Sequence, residues 1–213
     1  GSDTIIGGTG TADELTVTFD GVDDVLDATE LGGVTKIEKF IVADDSNIAG
    51  FTIADANIAS GAALTIDGSA LVSTNALTVV GTAETNGSLT VIGGTAGDSI
   101  TGTASSVGDT LNGNAGADTF TFAVANLTSI DTISGGSGTD ILTFSDAGTL
   151  ADSDFTNVTS VETLTTVTNT GTSTLVLGTE AAEAGIVTVN AYDTTNSVTL
   201  GSTFTNNVTV DLN

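Results

Sequence analysis

The sequence predicts an all-β protein made of short strands joined by tight turns. Runs in which apolar and polar residues alternate recur along most of the chain, at a spacing of mostly about 10 to 13 residues. Clusters of Gly, Asn, Asp and Ser separate these runs, and the 213 residues include no proline. Val and Thr favour strands, whereas Gly, Asn and Asp favour turns. Such spacing is typical of a sandwich, a barrel or a solenoid.

The predicted strands follow one another along the chain, each bounded by turn-forming residues. They are LTVTF (15–19), FTIA (51–54), LTID (64–67), LTVV (77–80), LTVI (89–92), DTFTF (118–122), ILTF (141–144), TLVL (174–177), VTVN (187–190), SVTL (197–200) and VTVDL (208–212). Apolar residues make up 39% of the chain and aromatic residues 4%, so the predicted core is mainly Val, Ile, Leu and Ala. The segments 22–31 and 179–185 are predicted as short helices or loops.

The charge of the chain excludes two classes of partner. There are 27 acidic residues against 2 basic ones, Lys36 and Lys39, which gives a formal net charge of -25. Nucleic acids and anionic membrane surfaces are bound through basic residues, so neither is an expected partner. A chain this acidic repels itself unless cations screen it. The regular placement of the acids favours a divalent metal over high salt alone.

The residue types that are absent exclude several kinds of chemistry. The chain has no Cys and no His, which excludes thiolate catalysis, Ser-His-Asp triads and typical zinc sites. Disulfides are excluded as well, and no apolar run approaches the ~18 residues of a membrane-spanning helix. Because the sequence has no initiating Met, we expect a processed or excised piece of a longer protein.

The chain also repeats itself over about 125 residues. SDTIIGGTGTADELT (2–16) matches IDTISGGSGTDILT (130–143), and VTKIEKF (34–40) matches VTSVETL (158–164). These matches suggest three parts: a first repeat unit (1–92), a turn-rich central segment (93–142) and a second, incomplete unit (143–213). A chain of tandem units is usually an array, a stalk or a lattice component.

Aspartates stand between glycine-rich turns and strands throughout the central segment. GGSGTDIL (135–142) fits every position of the nonapeptide G-G-x-G-x-D-x-U-x, and GNAGADTF (113–120) fits with Asn114 at the second glycine. GGTAGDSI (93–100) has Ala96 at the third glycine. In these motifs, mainly over 93–142 and 1–15, the chain resembles the RTX (repeats-in-toxin) family.

The resemblance implies a fold and a cofactor. The fold is a parallel β-solenoid, or β-roll, built of short stacked strands with RTX-type turns that bind Ca²⁺ through carbonyl and Asp oxygens. The ligand residues that it implies are Asp98, Asp109, Asp118, Asp131, Asp140, Gly94, Gly113, Gly116, Gly136 and Gly138, with Asp3 and Asp13 in the first copy. In the alternative interpretation the aspartates form Asx turns in a metal-free solenoid.

The spacing of the five central aspartates predicts how they are arranged. Consecutive turns of a two-sided roll lie on alternate sides, with about two nonapeptides in each coil. Alternation therefore predicts two edges of the roll. The first carries Asp98, Asp118 and Asp140, and the second carries Asp109 and Asp131.

The function that the resemblance implies is architectural. NVTSVETL (157–164), which follows GGSGTDILTFSDAG (135–148), is similar to calcium-dependent surface-layer (S-layer) and giant surface proteins of Gram-negative bacteria. These are exported by type I secretion. We therefore expect a non-enzymatic, extracellular structural protein of the cell surface, which assembles with copies of itself into a lattice or filament. A cell-surface polysaccharide stays open as a further partner.

Two alternatives stay open at the level of sequence. One is the stalk of a long RTX adhesin, because tandem repeats suit a stalk as well as a lattice. The other, ranked lower, is a secreted β-helix enzyme that uses a pair of acids. It is disfavoured because the chain has no nucleophile–base pair with His or Cys and no G-x-S-x-G motif.

Overall fold

The protein is an all-β solenoid of about eight turns, in which short strands stack in parallel. The structure, a computed structural model, describes residues 4–10, 12–19, 24–44, 49–166, 171–192 and 195–212. Every pairing of named strands in these ranges is parallel. Parallel neighbours need a crossover connection, and here the remainder of each coil provides it. The predicted all-β parallel solenoid of short stacked strands is confirmed.

The strands are numbered in chain order. They are β1 (Ile5–Ile6), β2 (Glu14–Val17), β3 (Asp24–Leu26), β4 (Val34–Thr35), β5 (Lys39–Val42), β6 (Ala49–Ala54), β7 (Ala63–Asp67), β8 (Leu77–Ala83), β9 (Ser88–Ile92), β10 (Ser99–Thr101), β11 (Thr110–Asn112), β12 (Thr119–Phe122), β13 (Thr132–Ser134), β14 (Ile141–Phe144), β15 (Thr149–Leu150), β16 (Val158–Thr159), β17 (Thr163–Thr166), β18 (Thr174–Leu177), β19 (Thr188–Ala191), β20 (Ser197–Leu200) and β21 (Thr209–Asp211).

Two large sheets form the main faces of the solenoid. The nine-stranded sheet has the order β21-β19-β17-β14-β12-β10-β8-β6-β3, and the seven-stranded sheet has the order β16-β13-β11-β9-β7-β5-β2. From β5 to β14, successive strands alternate between these two sheets, so each coil adds one strand to each face. A three-stranded sheet (β15-β18-β20) and the pair β1-β4 complete the outer coils.

In-register pairing stacks apolar side chains into two buried columns. The column of the nine-stranded sheet is Val79, Ile100, Phe120, Leu142, Leu164 and Val189. The column of the seven-stranded sheet is Ile66, Val91, Leu111, Ile133 and Val158. Burying one such side chain contributes about 1.5–3 kcal/mol, so the columns hold consecutive coils together.

Both segments that the sequence left open between helix and loop contain a short helix. The helix α1 (Ala28–Leu31) is capped by Asp27, whose Oδ1 accepts the N–H of Thr29 at 2.6 Å. The helix α2 (Thr179–Glu183) begins at Gly178, whose N–H donates to Asp152 Oδ1 at 2.7 Å. None of the helices in the described ranges is long and apolar enough to cross a membrane.

The two sequence repeats lie half a coil out of phase. The strands β2, β5, β7 and β9 of the first unit belong to the seven-stranded sheet, whereas their sequence counterparts β14, β17, β19 and β21 belong to the nine-stranded sheet. Each repeat therefore spans an odd number of half-coils. Equivalent turns of the two units consequently lie on opposite edges of the solenoid.

Candidate metal centre

The aspartates of the central segment line two edges of the roll. Asp98, Asp118 and Asp140 directly precede β10, β12 and β14 of the nine-stranded sheet, whereas Asp109 and Asp131 precede β11 and β13 of the seven-stranded sheet. This is the alternation that the spacing predicts. All five side chains are buried, with at most 4% of their surface exposed.

On the first edge, each carboxylate is bonded to the preceding coil. The backbone N–H of Leu77 donates to Asp98 Oδ1 at 2.7 Å, that of Asp98 to Asp118 Oδ1 at 2.7 Å, and that of Asp118 to Asp140 Oδ1 at 2.8 Å. The N–H of Asp140 donates in turn to Glu162 Oε2 at 2.8 Å. We call this series, from Asp98 to Glu162, the aspartate ladder. Since each N–H lies at the start of a strand, the ladder fixes the register between coils.

The second edge carries a shorter series of the same kind. The N–H of Leu89 donates to Asp109 Oδ1 and that of Asp109 to Asp131 Oδ1, both at 2.8 Å. The remaining oxygens are also bonded: Asp109 Oδ2 accepts the N–H of Thr103 at 2.7 Å, and Asp131 Oδ2 accepts that of Thr128 at 2.8 Å. Both carboxylates on this edge therefore have protein donors on both oxygens.

The members of the aspartate ladder differ in the hydrogen bonding of their second carboxylate oxygen. Asp98 Oδ2 accepts the N–H of Gly94 at 2.8 Å. Asp118 Oδ2 and Asp140 Oδ2 are buried and have no hydrogen-bond partner. Buried polar atoms nearly always have a partner, so these two oxygens are the candidates on this edge for a bond to water or to an ion.

The backbone of the turns explains this difference. Asn114 has φ 67° and Gly136 has φ 102°, whereas Gly94, at the corresponding position before Asp98, is outside the left-handed region. The N–H of Asn114 consequently donates to Asn112 Oδ1 at 3.0 Å instead of to Asp118. The left-handed conformation therefore turns this amide away and leaves the Asp118 oxygen without a donor.

Backbone carbonyl oxygens of the next coil lie beside the two unpartnered oxygens. A Cβ on Gly113 would collide with Asp118 Oδ2 and would lie 2.7 Å from the Gly135 carbonyl oxygen. A Cβ on Gly135 would lie 2.5 Å from Asp140 Oδ2 and would collide with the Ser160 carbonyl oxygen. We call these sets the Asp118 corner (Gly113, Asp118 and the Gly135 carbonyl) and the Asp140 corner (Gly135, Asp140 and the Ser160 carbonyl).

The chemistry of both corners suits a hard cation. Each brings a carboxylate oxygen and a carbonyl oxygen of adjoining coils to one glycine, and Ca²⁺ takes oxygen ligands of these two kinds in flexible geometry. Gly116 (φ 128°) and Gly138 (φ 151°) complete the two turns, which stack so closely that a Cβ on Gly138 would collide with the Gly116 carbonyl oxygen. Each corner thus offers oxygens of the two kinds that calcium takes, and the six to eight ligands of a calcium ion would need further oxygens there.

Burial and like charge make the aspartate ladder electrostatically unfavourable by itself. Burial, together with the neighbouring charge of Asp118, raises the pKa of Asp98 to about 6. Burial and the charge of Asp131 raise the pKa of Asp109 to about 6. The pKa values of Asp118 and Asp140 are raised in the same way, mainly by burial and further by the next carboxylate in the ladder. A cation beside these groups would lower the cost of ionising them.

The first repeat unit contains a related turn on the opposite edge. Asp13 Oδ2 accepts the N–H of Gly8 at 2.7 Å, as Asp98 does from Gly94, and the N–H of Asp13 donates to Glu38 Oε2 at 2.8 Å. Asp13 is half-buried. Asp3, the other predicted ligand of this unit, lies outside the described residues.

Three glutamates belong to these edges although they are not in the predicted ligand set. Glu38 and Glu162 occupy the place of the next aspartate beside Asp13 and Asp140. Their signal in the sequence is their matching position in VTKIEKF and VTSVETL. Glu84 is fully buried and has an unpartnered Oε2, and nothing in the sequence around it marks it. Within the described ranges, no group of three or more acidic side chains is arranged to hold a metal ion.

Comparisons with known proteins add no further assignment. No family model, no curated protein and no solved structure matches the chain. The resemblance to the RTX family rests on the motifs alone and stays a prediction.

Proposed function

We propose that the chain is a calcium-stiffened β-solenoid segment of a bacterial cell-surface assembly, an S-layer or a surface filament. The observation that carries the proposal is the pair of buried, unpartnered oxygens, Asp118 Oδ2 and Asp140 Oδ2. Each stands beside a carbonyl oxygen of the next coil. An ion bound at either corner would therefore join two coils.

The physical role of the cation follows from the charge of the chain. Acidic residues outnumber basic ones by 27 to 2, and the buried aspartates stack in successive coils. One of the two basic residues, Lys39, forms a salt bridge with Asp67 at 2.8 Å. Calcium, abundant outside cells and scarce inside, would supply positive charge where two coils meet. The chain would then fold and stiffen after export, because metal binding adds to folding stability.

Repetition supports an assembling, structural role. The solenoid stacks its coils along one direction, and its sequence repeats in tandem, as in arrays whose units contact their neighbours. The half-coil phase places equivalent turns on opposite edges, so the same kind of turn faces both sides of the chain. This arrangement suits lateral contact with copies on two sides, which a sheet or a bundled filament requires.

The test is a calcium count combined with imaging. Elemental analysis of purified protein, before and after EGTA treatment, is expected to give at least two calcium ions per chain that EGTA removes. Electron microscopy with calcium is expected to show sheets or filaments that disperse in EGTA. A chain without bound calcium, equally heat-resistant with and without EGTA, would refute the calcium role. Extended monomers that bind calcium would instead indicate an adhesin stalk.

A further inference from the structure

The aspartate ladder ends at a glutamate, and the same ending occurs in both repeat units. Glu162 Oε2 accepts the N–H of Asp140 at 2.8 Å, and Glu38 Oε2 accepts that of Asp13 at 2.8 Å. The two pairs lie on opposite edges, at matching positions of the two sequence repeats.

The backbone shows why the last member of the ladder is longer than aspartate. Where one aspartate follows another in the ladder, a single N–H of the next coil donates to the backbone carbonyl of the earlier aspartate, as Thr119 does to Asp98 at 2.8 Å. At the last step, both Glu162 and Thr163 donate to the Asp140 carbonyl oxygen, at 3.2 and 3.0 Å. The amide of Glu162 thus donates to the carbonyl of the preceding coil, whereas the amides of Asp98, Asp118 and Asp140 donate to a carboxylate of the following coil. The extra methylene lets its carboxylate still reach the Asp140 amide.

The first repeat unit shows the same turned backbone. Glu38 and Lys39 both donate to the Asp13 carbonyl oxygen, at 3.0 and 3.2 Å. Lys36 and Ser160, two residues before the respective glutamates, both adopt left-handed backbone, with φ 58° and 54°. This conformation is uncommon for residues other than glycine, so its recurrence indicates a built turn.

That turn also presents the carbonyl oxygen of the Asp140 corner. A Cβ on Gly135 would meet the Ser160 carbonyl oxygen and Asp140 Oδ2, and Asp140 Oδ2 is buried without a partner. Ser160 and Glu162 belong to one turn. By bonding the Asp140 amide, Glu162 therefore also fixes the Ser160 carbonyl beside Asp140 Oδ2. A second negative charge therefore stands beside this corner.

We propose that Glu162 is a positioning residue for a divalent cation at the Asp140 corner: it fixes the Ser160 turn against Asp140 and supplies a second negative charge beside the ion. Glu38 bonds the Asp13 amide in the same way on the opposite edge, where Asp13 Oδ2 already accepts the N–H of Gly8. The motif G-G-x-G-x-D does not contain this glutamate. The inference rests on the proposed calcium role of the Asp140 corner.

The experiment compares two substitutions with a matched control in the full chain. Glu162→Gln keeps an oxygen acceptor for the Asp140 amide but removes the charge, and Glu162→Ala removes both. Glu183→Gln removes one charge at an exposed position of α2 in the same repeat unit. Each EGTA-stripped protein is titrated with calcium by calorimetry, and exchange of the Asp140 amide hydrogen is measured in EGTA.

The expected pattern separates positioning from general charge. Both Glu162 variants should bind one ion at least about tenfold more weakly than the Glu183 variant, because fewer charges at a calcium site lower its affinity. Fast exchange of the Asp140 amide should appear only in Glu162→Ala. Calcium titrations of both Glu162 variants that match the Glu183 control overturn this inference alone. Wild-type protein that binds no calcium overturns it together with the proposed function.

Discussion

Asp118→Asn and Asp98→Asn should have opposite effects on the metal-free protein, although the residues are one coil apart. Asp98 uses both oxygens as acceptors, from Leu77 N–H and Gly94 N–H. Asp118 uses Oδ1 in the same way, but its Oδ2 is buried, unpartnered and next to the Gly135 carbonyl oxygen. An asparagine offers one acceptor and one donor, which matches the Asp118 corner and conflicts with Asp98.

The size of the effect follows from the cost of an unpartnered buried polar group, about 1–3 kcal/mol. In EGTA, Asp118→Asn removes a buried acceptor that lacks a donor and places an N–H₂ group beside the Gly135 carbonyl. The free energy of unfolding should rise by about 1–3 kcal/mol, or roughly 2–4 °C in Tm per kcal/mol. Asp98→Asn should lower it by a similar amount, because an N–H₂ group would face the Gly94 N–H.

Calcium should make the wild-type protein more stable than Asp118→Asn. A saturated site gains stability of about 2.7 kcal/mol when the free ion is at 100 times Kd, and the asparagine variant lacks this gain at its corner. Thermal melts by circular dichroism, in EGTA and in calcium, with Glu183→Gln as the charge-matched control, measure both signs. If Asp118→Asn destabilises the chelated protein as Asp98→Asn does, or gains as much from calcium as wild type, the reasoning about the unpartnered oxygen is wrong.

Three further predictions address the ladder and the coils. Burial raises the pKa of Asp98 and Asp109 to about 6, above the 3.8 of an exposed group. Between pH 3.8 and pH 6, the folded protein in EGTA therefore binds more protons than the unfolded chain. Urea denaturation in EGTA should therefore show stability falling from pH 4 to pH 7 by about 2 kcal/mol per carboxylate, and a rise would contradict the burial argument. Gly135→Ala should lower stability by about 1–3 kcal/mol and abolish one calcium site in calorimetry, whereas exposed Gly10→Ala should do neither. Asp152→Ala removes the acceptor for three amides at the start of α2 and should lower Tm in calorimetric scans, by about 0.5–2 kcal/mol in stability; an unchanged Tm would show that this cap is dispensable.

Local pattern was sufficient for the eleven predicted strands and for the two edges, but it missed others, including β5 and β17. Alternating apolar residues specify which side chains enter a core, and in-register stacking repeats that choice in each coil, as in the column from Val79 to Val189. The aspartates stand one residue before a strand, so their order along the chain fixes their edge. Strands as short as β10 and β11 were missed because three residues carry too little alternation to detect.

The partners of each carboxylate could not be read from the motif. The turn of Asp98 departs from the motif at Ala96, but that departure does not show that Gly94 N–H completes Asp98 and that Asp118 and Asp140 lack such a donor. Whether a donor arrives depends on the backbone conformation at positions 94, 114 and 136. It also depends on amides 20 to 22 residues away along the chain.

The sequence by itself determined that this chain consists of short strands and tight turns with one acid at each central turn, because periodicity and residue type are local properties. Only the tertiary structure decided which oxygens stay unpartnered, that Glu162 closes the ladder, and that the second repeat unit is turned by half a coil. These features depend on contacts between consecutive coils. Such contacts are set by the length of each coil and by the direction of each amide, which no single motif contains.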